Sequence, residues 1–134
     1  MKLYVDTCVY LSFFLNEPKF ENKSWRFFEL ALQNSHTILY SKHVLFEIDK
    51  NYLLEKTSFF FSHLEKNMAI IDLCSKDEET AKLLNKDNYD DALHYVLAQK
   101  ENADYIVTWN YLDFMELKNT APQKIKVVKP THFI

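Results

Sequence analysis

Apolar residues in this chain fall into short unbroken runs that alternate with stretches of helical period. Leu3, Tyr4 and Val5 form a run of the kind found in strands buried on both faces. Further strands are predicted at 37–40, 69–74, 105–107 and 125–128, each rich in β-branched or aromatic residues. Between them the pattern predicts helices. The first covers 9–15 and breaks at Asn16-Glu17-Pro18; the second covers 22–33, with Trp25, Phe28, Leu30, Ala31 and Leu32 as its apolar face. Ser41 suits the N-cap of a third, carrying Val44, Leu45, Glu47, Ile48 and Tyr52. Others are expected at 58–65 with the run Phe59-Phe60-Phe61, from Ser75 or Asp77 to Leu84, from Asp90 or Asp91 to Ala98, and at 112–117. Strands alternating with helices argue for an α/β fold with a parallel sheet covered on both faces. Without a linker, repeat or low-complexity stretch, the 134 residues are expected to form one domain, 1–134.

Composition narrows the chemistry. Glycine is absent, which excludes the phosphate-cradling loops, dinucleotide fingerprints and nucleophile elbows that need its backbone freedom. Sixteen Lys and Arg against nineteen Asp and Glu give a net charge of −3, so there is no general basic footprint for nucleic acid. Binding would need a local patch or a metal masking the acids. Cys8 and Cys74 lie in apolar runs without C-x-x-C spacing and read as reduced core thiols, not zinc ligands. With no signal-like segment and no run of spanning length, a soluble cytoplasmic protein is expected.

The candidate chemistry lies in acids that the topology gathers. In a right-handed βαβ unit each helix starts where its preceding strand ends, so residues of the first turn sit at the carboxyl edge of the sheet. Asp6 ends the first strand, and Glu47 follows Ser41 by six residues, roughly 9 Å along the helix at its usual rise. Asp91 opens a helix; Asn110 and Asp113 follow the fourth strand and Thr108. Three or four carboxylates without paired Cys or His suit Mg²⁺ or Mn²⁺. Each acid also has a plainer role. Asp6 suits a turn, Glu47 a helix flank near Lys50, and Asp91 and Asp113 helix caps. His94 suits a packed or surface position better than a ligand's, for want of a second His at ligand spacing.

Four stretches resemble the PIN-domain family of metal-dependent nucleases: Leu3-Tyr4-Val5-Asp6-Thr7-Cys8-Val9, Tyr40-Ser41 on to Phe46-Glu47-Ile48, Asp91-Ala92-Leu93-His94, and Ile106-Val107-Thr108-Trp109-Asn110-Tyr111-Leu112-Asp113-Phe114. The last resembles the T-x-N-x-x-D-F variant of single-domain, toxin-like members of toxin-antitoxin pairs. The resemblance implies a three-layer α/β/α sandwich with strand order 3-2-1-4-5 and Mg²⁺- or Mn²⁺-dependent endoribonuclease activity. It implies Asp6, Glu47 and Asp91 as the first three acids, with the fourth place open between Asn110 and Asp113 and with Asp90 adjacent to Asp91. Thr108 corresponds to a hydroxyl residue that orients the metal's water shell. The chain departs from the family in lacking a glycine before the fourth strand and in having few basic residues near the acids.

The expected function is therefore RNA hydrolysis through a carboxylate-bound metal, with an antitoxin protein as partner. Asp6, Glu47, Asp91 and Asp113 are the expected catalytic set, joined by Asn110 as metal ligands. Thr7, Thr108, Trp109 and His94 are expected at the substrate. Trp109 either stacks on an unpaired base or packs beneath its loop. Phe59-Phe60-Phe61 cannot all face inward from one helix, so a homodimer is expected. The alternative is a PIN-like module that binds RNA or protein without cleaving.

Overall fold

The computed structural model describes residues 1–51 and 53–134, apart from the side chain of Leu54. Five parallel strands, β1 (Lys2–Val5), β2 (Thr37–Ser41), β3 (Met68–Ile71), β4 (Tyr105–Val107) and β5 (Lys126–Val128), form one sheet in the order β3-β2-β1-β4-β5. Helices α1 (Thr7–Phe14), α2 (Glu21–Gln33), α3 (Lys42–Asp49), α4 (Leu54–Leu64), α5 (Ser75–Leu84), α6 (Tyr89–Lys100) and α7 (Tyr111–Thr120) flank it. This is the α/β/α architecture and strand order expected of the chain.

β1 lies at the centre, pairing Leu3 with Ile38 of β2 and with Tyr105 of β4. Leu3, Tyr4 and Val5 are fully buried, as a strand covered on both faces requires. The Asp6 N–H donates to the Val107 carbonyl at 3.0 Å, so the ladder carries β1 one residue further and fixes Asp6 against the end of β4.

The edge strand β3 differs from its expected span of 69–74. It ends at Ile71, and Ala69 and Ile70 are exposed because only β2 pairs with it. The chain then turns into α5, whose N-cap is Cys74. The Asp77 carboxylate accepts from the Cys74 N–H at 3.0 Å and from its thiol at 3.2 Å. Cys74 is consequently exposed, not a core thiol; it and Cys8 are both free. Helix α4 begins earlier than expected and α7 is longer. Tyr52, expected on the third helix, lies outside the described residues.

On α2 the buried stripe is Ser24, Phe27, Phe28 and Ala31, at the i, i+3, i+4, i+7 spacing of one helical face. Trp25, expected within that face, is 44% exposed. Ser41 caps α3 as anticipated, its hydroxyl accepting from the Val44 N–H at 3.2 Å.

A chain without glycine must leave its helices by other means. Asn16, Ser35 and Asn102 have φ of 52°, 55° and 53°, just past the ends of α1, α2 and α6. The next N–H in each case reaches back five residues: Glu17 to Ser12, His36 to Ala31 and Ala103 to Ala98, all at 3.0 Å. These are Schellman exits with a side chain where glycine is preferred. A β-carbon in the left-handed region costs about 1 kcal/mol, least for Asn. Ser35→Gly is therefore expected to stabilise the fold by up to about 0.6 kcal/mol after the added freedom of the unfolded chain is deducted. Urea denaturation midpoints at unchanged slope check this; no gain would mean that the Ser35 backbone is unstrained.

Candidate metal centre at the carboxyl edge of the sheet

Each acid singled out from the sequence reaches the carboxyl edge from a different segment, and none serves its own helix as an N-cap by side chain. Asp6 precedes α1, yet its carboxylate bonds elsewhere. Oδ2 accepts from the Thr108 hydroxyl at 2.8 Å and the Cys8 thiol at 3.0 Å, while Oδ1 lies 3.4 Å from His94 Nε2. Glu47 projects from α3, its Oε1 accepting from the Thr7 hydroxyl at 2.8 Å and approaching His94 Nε2 at 2.5 Å. Asp91 lies in the first turn of α6, where Oδ2 accepts from Asn88 at 3.1 Å and from Asn110 Nδ2 at 3.0 Å. The Asn110 N–H is itself held by the Thr108 hydroxyl at 2.9 Å.

Electrostatics bind the group together. Burial, then the charge of Asp6, pushes the Asp91 carboxyl up to about 6, with Asp113 adding to the effect and the Asn88 hydrogen bond opposing it. Burial alone would depress His94 and raise Glu47. The hydrogen bond between them, helped for His94 by the charges of Asp6 and Asp91, reverses both, leaving His94 above and Glu47 below its ordinary value. His43 is lowered by burial and by His94, against the pull of Glu47 and Asp90.

The structure places the remaining candidate residues as follows. Thr7, Thr108 and His94, expected at the substrate, are buried and bonded to carboxylates, so they hold the acids in place from beneath. His94 is 1% exposed, with Nδ1 at 2.7 Å from the Tyr4 hydroxyl, which meets Ser41 Oγ at 2.9 Å. Trp109 stacks on Phe20 with ring centres 4.4 Å apart, and its indole N–H donates to Ser24 Oγ at 2.9 Å. One ring face and the polar edge are thus engaged within the chain, favouring packing beneath the loop over base stacking. Asp113 is half-buried in the first turn of α7 and acts on Asp91 through its field, whereas Asn110 touches Asp91 directly. Asp90 accepts from neither Asn88 nor Asn110, the partners of Asp91; its Oδ1 meets His43 Nε2 at 2.9 Å.

His43 escaped the sequence reading. It sits four residues before Glu47 on α3, a spacing that places both on one face of a helix. Its Nε2 lies 3.7 Å from Glu47 Oε1. The signals available were that spacing and a tyrosine, Tyr4, embedded in an otherwise apolar buried strand.

The donor set suits a hard divalent cation. Asp6 and Asp91 contribute carboxylates whose mutual repulsion is visible in the raised Asp91, and Oε2 of Glu47 has no hydrogen-bond partner among the described residues. A parallel α/β sheet whose central strand delivers an acid to a carboxyl edge shared with three other segments places these acids where open α/β sheets bind their ligands. The chain belongs to the PIN domain family, whose family model matches residues 2–112. Two solved structures share the fold. VapBC2 from Rickettsia felis, bound to a DNA fragment from its promoter, is 22% identical at a TM-score of 0.67, with 96% of this chain and 98% of that one covered. Mycobacterium tuberculosis VapC20, a Sarcin-Ricin loop cleaving toxin, is 18% identical at a TM-score of 0.56, covering 78% and 86%. No curated protein matches the chain.

Proposed function

We propose that the protein is a Mg²⁺- or Mn²⁺-dependent endoribonuclease, the toxin component of a toxin-antitoxin pair acting in the cytoplasm as a single domain, 1–134. The observation that carries this reading is that Asp6, Glu47 and Asp91 reach one carboxyl edge from three separate segments, Asp6 and Glu47 both against His94, with Asp91 pushed up to about 6 by burial and the charge of Asp6. Membership of the PIN domain family supports it, as does the likeness to VapC20. No described helix is long and apolar enough to cross a membrane.

Asp6 and Asp91, with Glu47 through its free oxygen, would hold the ion, and Asn110 and Asp113 complete its polar surroundings. Bound there, a divalent cation lowers the pKa of water and stabilises charge on an attacked phosphodiester. The chain's own residues supply the order. Thr108 and Cys8 fix the rotamer of Asp6, Thr7 and His94 fix that of Glu47, and Asn110 holds Asp91. RNA is the substrate proposed, in single-stranded or looped form. The expected result is cleavage of an unstructured RNA with Mg²⁺ or Mn²⁺, abolished by chelator and lowered at least about 100-fold in Asp91→Asn. RNA binding without cleavage under either metal would favour the non-catalytic module.

A partner surface accompanies the site. Phe60 of α4 is buried and Phe61 half-buried, but Phe59 is 72% exposed. It borders an apolar groove of about 1030 Å³ with Phe13, Phe14, Trp25 and Phe28. The proposed homodimer covers this face. Sedimentation should show dimers at tens of micromolar that Phe59→Ser dissociates; a monomeric parent chain would refute it.

A further inference from the structure

Besides the carboxylate edge, the fold builds a nitrogen-bearing pocket. Among the described residues, His43, Glu47 and His94 each offer a ligand atom, and these three atoms all lie within 4.8 Å of one another. We propose that His43 Nε2, His94 Nε2 and a Glu47 carboxylate oxygen form a second metal site, selective for Zn²⁺, that borders the Asp6–Asp91 edge and shares Glu47 with it.

The geometry is close to what zinc needs. Bonds of about 2.0–2.1 Å in a tetrahedron set ligand atoms about 3.3 Å apart. His43 Nε2 lies 3.7 Å and His94 Nε2 2.5 Å from Glu47 Oε1, so a shift of the carboxylate by less than about 1 Å brings both of its separations from imidazole nitrogen near that value. All three side chains stand on helices, two of them one turn apart on α3, so the site is carried by rigid elements.

The surroundings direct the right nitrogen of His94 inward, while His43 Nε2 exchanges its bond to Asp90 Oδ1, 2.9 Å away, for the ion. Tyr4 OH at 2.7 Å takes the Nδ1–H of His94, and that hydroxyl is anchored on Ser41 at 2.9 Å, leaving Nε2 free to ligate. In the metal-free protein the Nε2 proton is held by Glu47, and a zinc ion takes its place. Two imidazoles and one carboxylate favour a borderline cation over Mg²⁺, which prefers oxygen alone and keeps its water. The fourth position falls to water, on the side where Asp90 leads out to solvent.

Because Glu47 is shared, zinc would draw it from the carboxylate edge; that consequence, unlike the site itself, rests on the function proposed above. The test is calorimetric titration of the metal-free chain with Zn²⁺. One ion per chain is expected for the parent and for Asp91→Asn, with affinity at least tenfold lower in His43→Gln, whose folding is checked by circular dichroism. Co²⁺ on the parent chain should give the intense visible bands of tetrahedral nitrogen ligation. Weak bands of all-oxygen octahedral cobalt, equal zinc affinity in His43→Gln and the parent, or loss of zinc in Asp91→Asn to the same degree as in His43→Gln would overturn the site. None of these readings depends on RNA cleavage.

Discussion

Asp91→Asn is expected to melt at a higher temperature than the parent chain in metal-free buffer while losing metal-dependent activity. Its carboxyl group is pushed up to about 6 by burial and Asp6, so near neutral pH the folded state holds an anion it resists. The gap from an ordinary aspartate corresponds to up to about 3 kcal/mol. Solvent access at this half-exposed position reduces that to about 1–2 kcal/mol, or about 3–8 °C in Tm. Both hydrogen bonds to the side chain end on Oδ2, so an asparagine placing its carbonyl there keeps Asn88 and Asn110 as donors. The pH dependence has a definite sign. A folded-state pKa above the unfolded one makes stability fall as pH rises from about 4 to about 6, so the gain should be full at pH 7–8 and vanish near pH 4. A gain independent of pH would locate its cause elsewhere. Asp6→Asn contrasts with this. Oδ2 serves Thr108 and Cys8 while Oδ1 faces His94 Nε2, so an amide must present N–H to a donor on one side or the other, and a loss of stability is expected.

The second large effect is expected from His94→Ala. The imidazole is fully buried and links Tyr4, Glu47 and Asp6, which are left one partner short when it is removed. Breaking a buried charged pair from one side costs about 3–5 kcal/mol. His94 is raised in the folded state, so its contribution is complete below about 6.5 and fades as pH climbs through its folded value. Glu47 is lowered, so its contribution is complete above about 4.5 and fades in more acidic solution. The destabilisation should therefore peak between those limits. Chemical denaturation across pH 4–9 checks it, and a flat, small loss would mean that the pair is not ionised.

How much of this was legible in the sequence depended on range. Strands and helices whose pattern is set by local burial were readable: β1 from its apolar run, α3 from the Ser41 cap, β4 from Tyr105-Ile106-Val107. The end of β3 was not, because an edge strand's limit is set by its neighbour and by the Asp77 cap of the following helix, not by hydrophobicity. The gathering of acids followed from topology. What each acid bonds to did not, since Asp6 finds Thr108 across 102 positions and Glu47 finds His94 across 47. A histidine surrounded by acids in space has beside it in sequence only Asp90 and Asp91, one turn earlier, and neither is the Glu47 that it bonds.

The central place of β1 has a consequence for synthesis on the ribosome. The strand made first is flanked by β2, made soon afterwards, and by β4, whose Tyr105 to Val107 come only after three-quarters of the chain. A nascent chain can pair Leu3 with Ile38 early, but the other side of β1 stays open until Tyr105 has left the tunnel, and Asp6 has no Thr108 to hold it until then. A product of premature termination before β4 would retain Asp6, Glu47 and Asp91 and still lack the ordered edge, so translation must pass four-fifths of the chain before the acids can be brought into register.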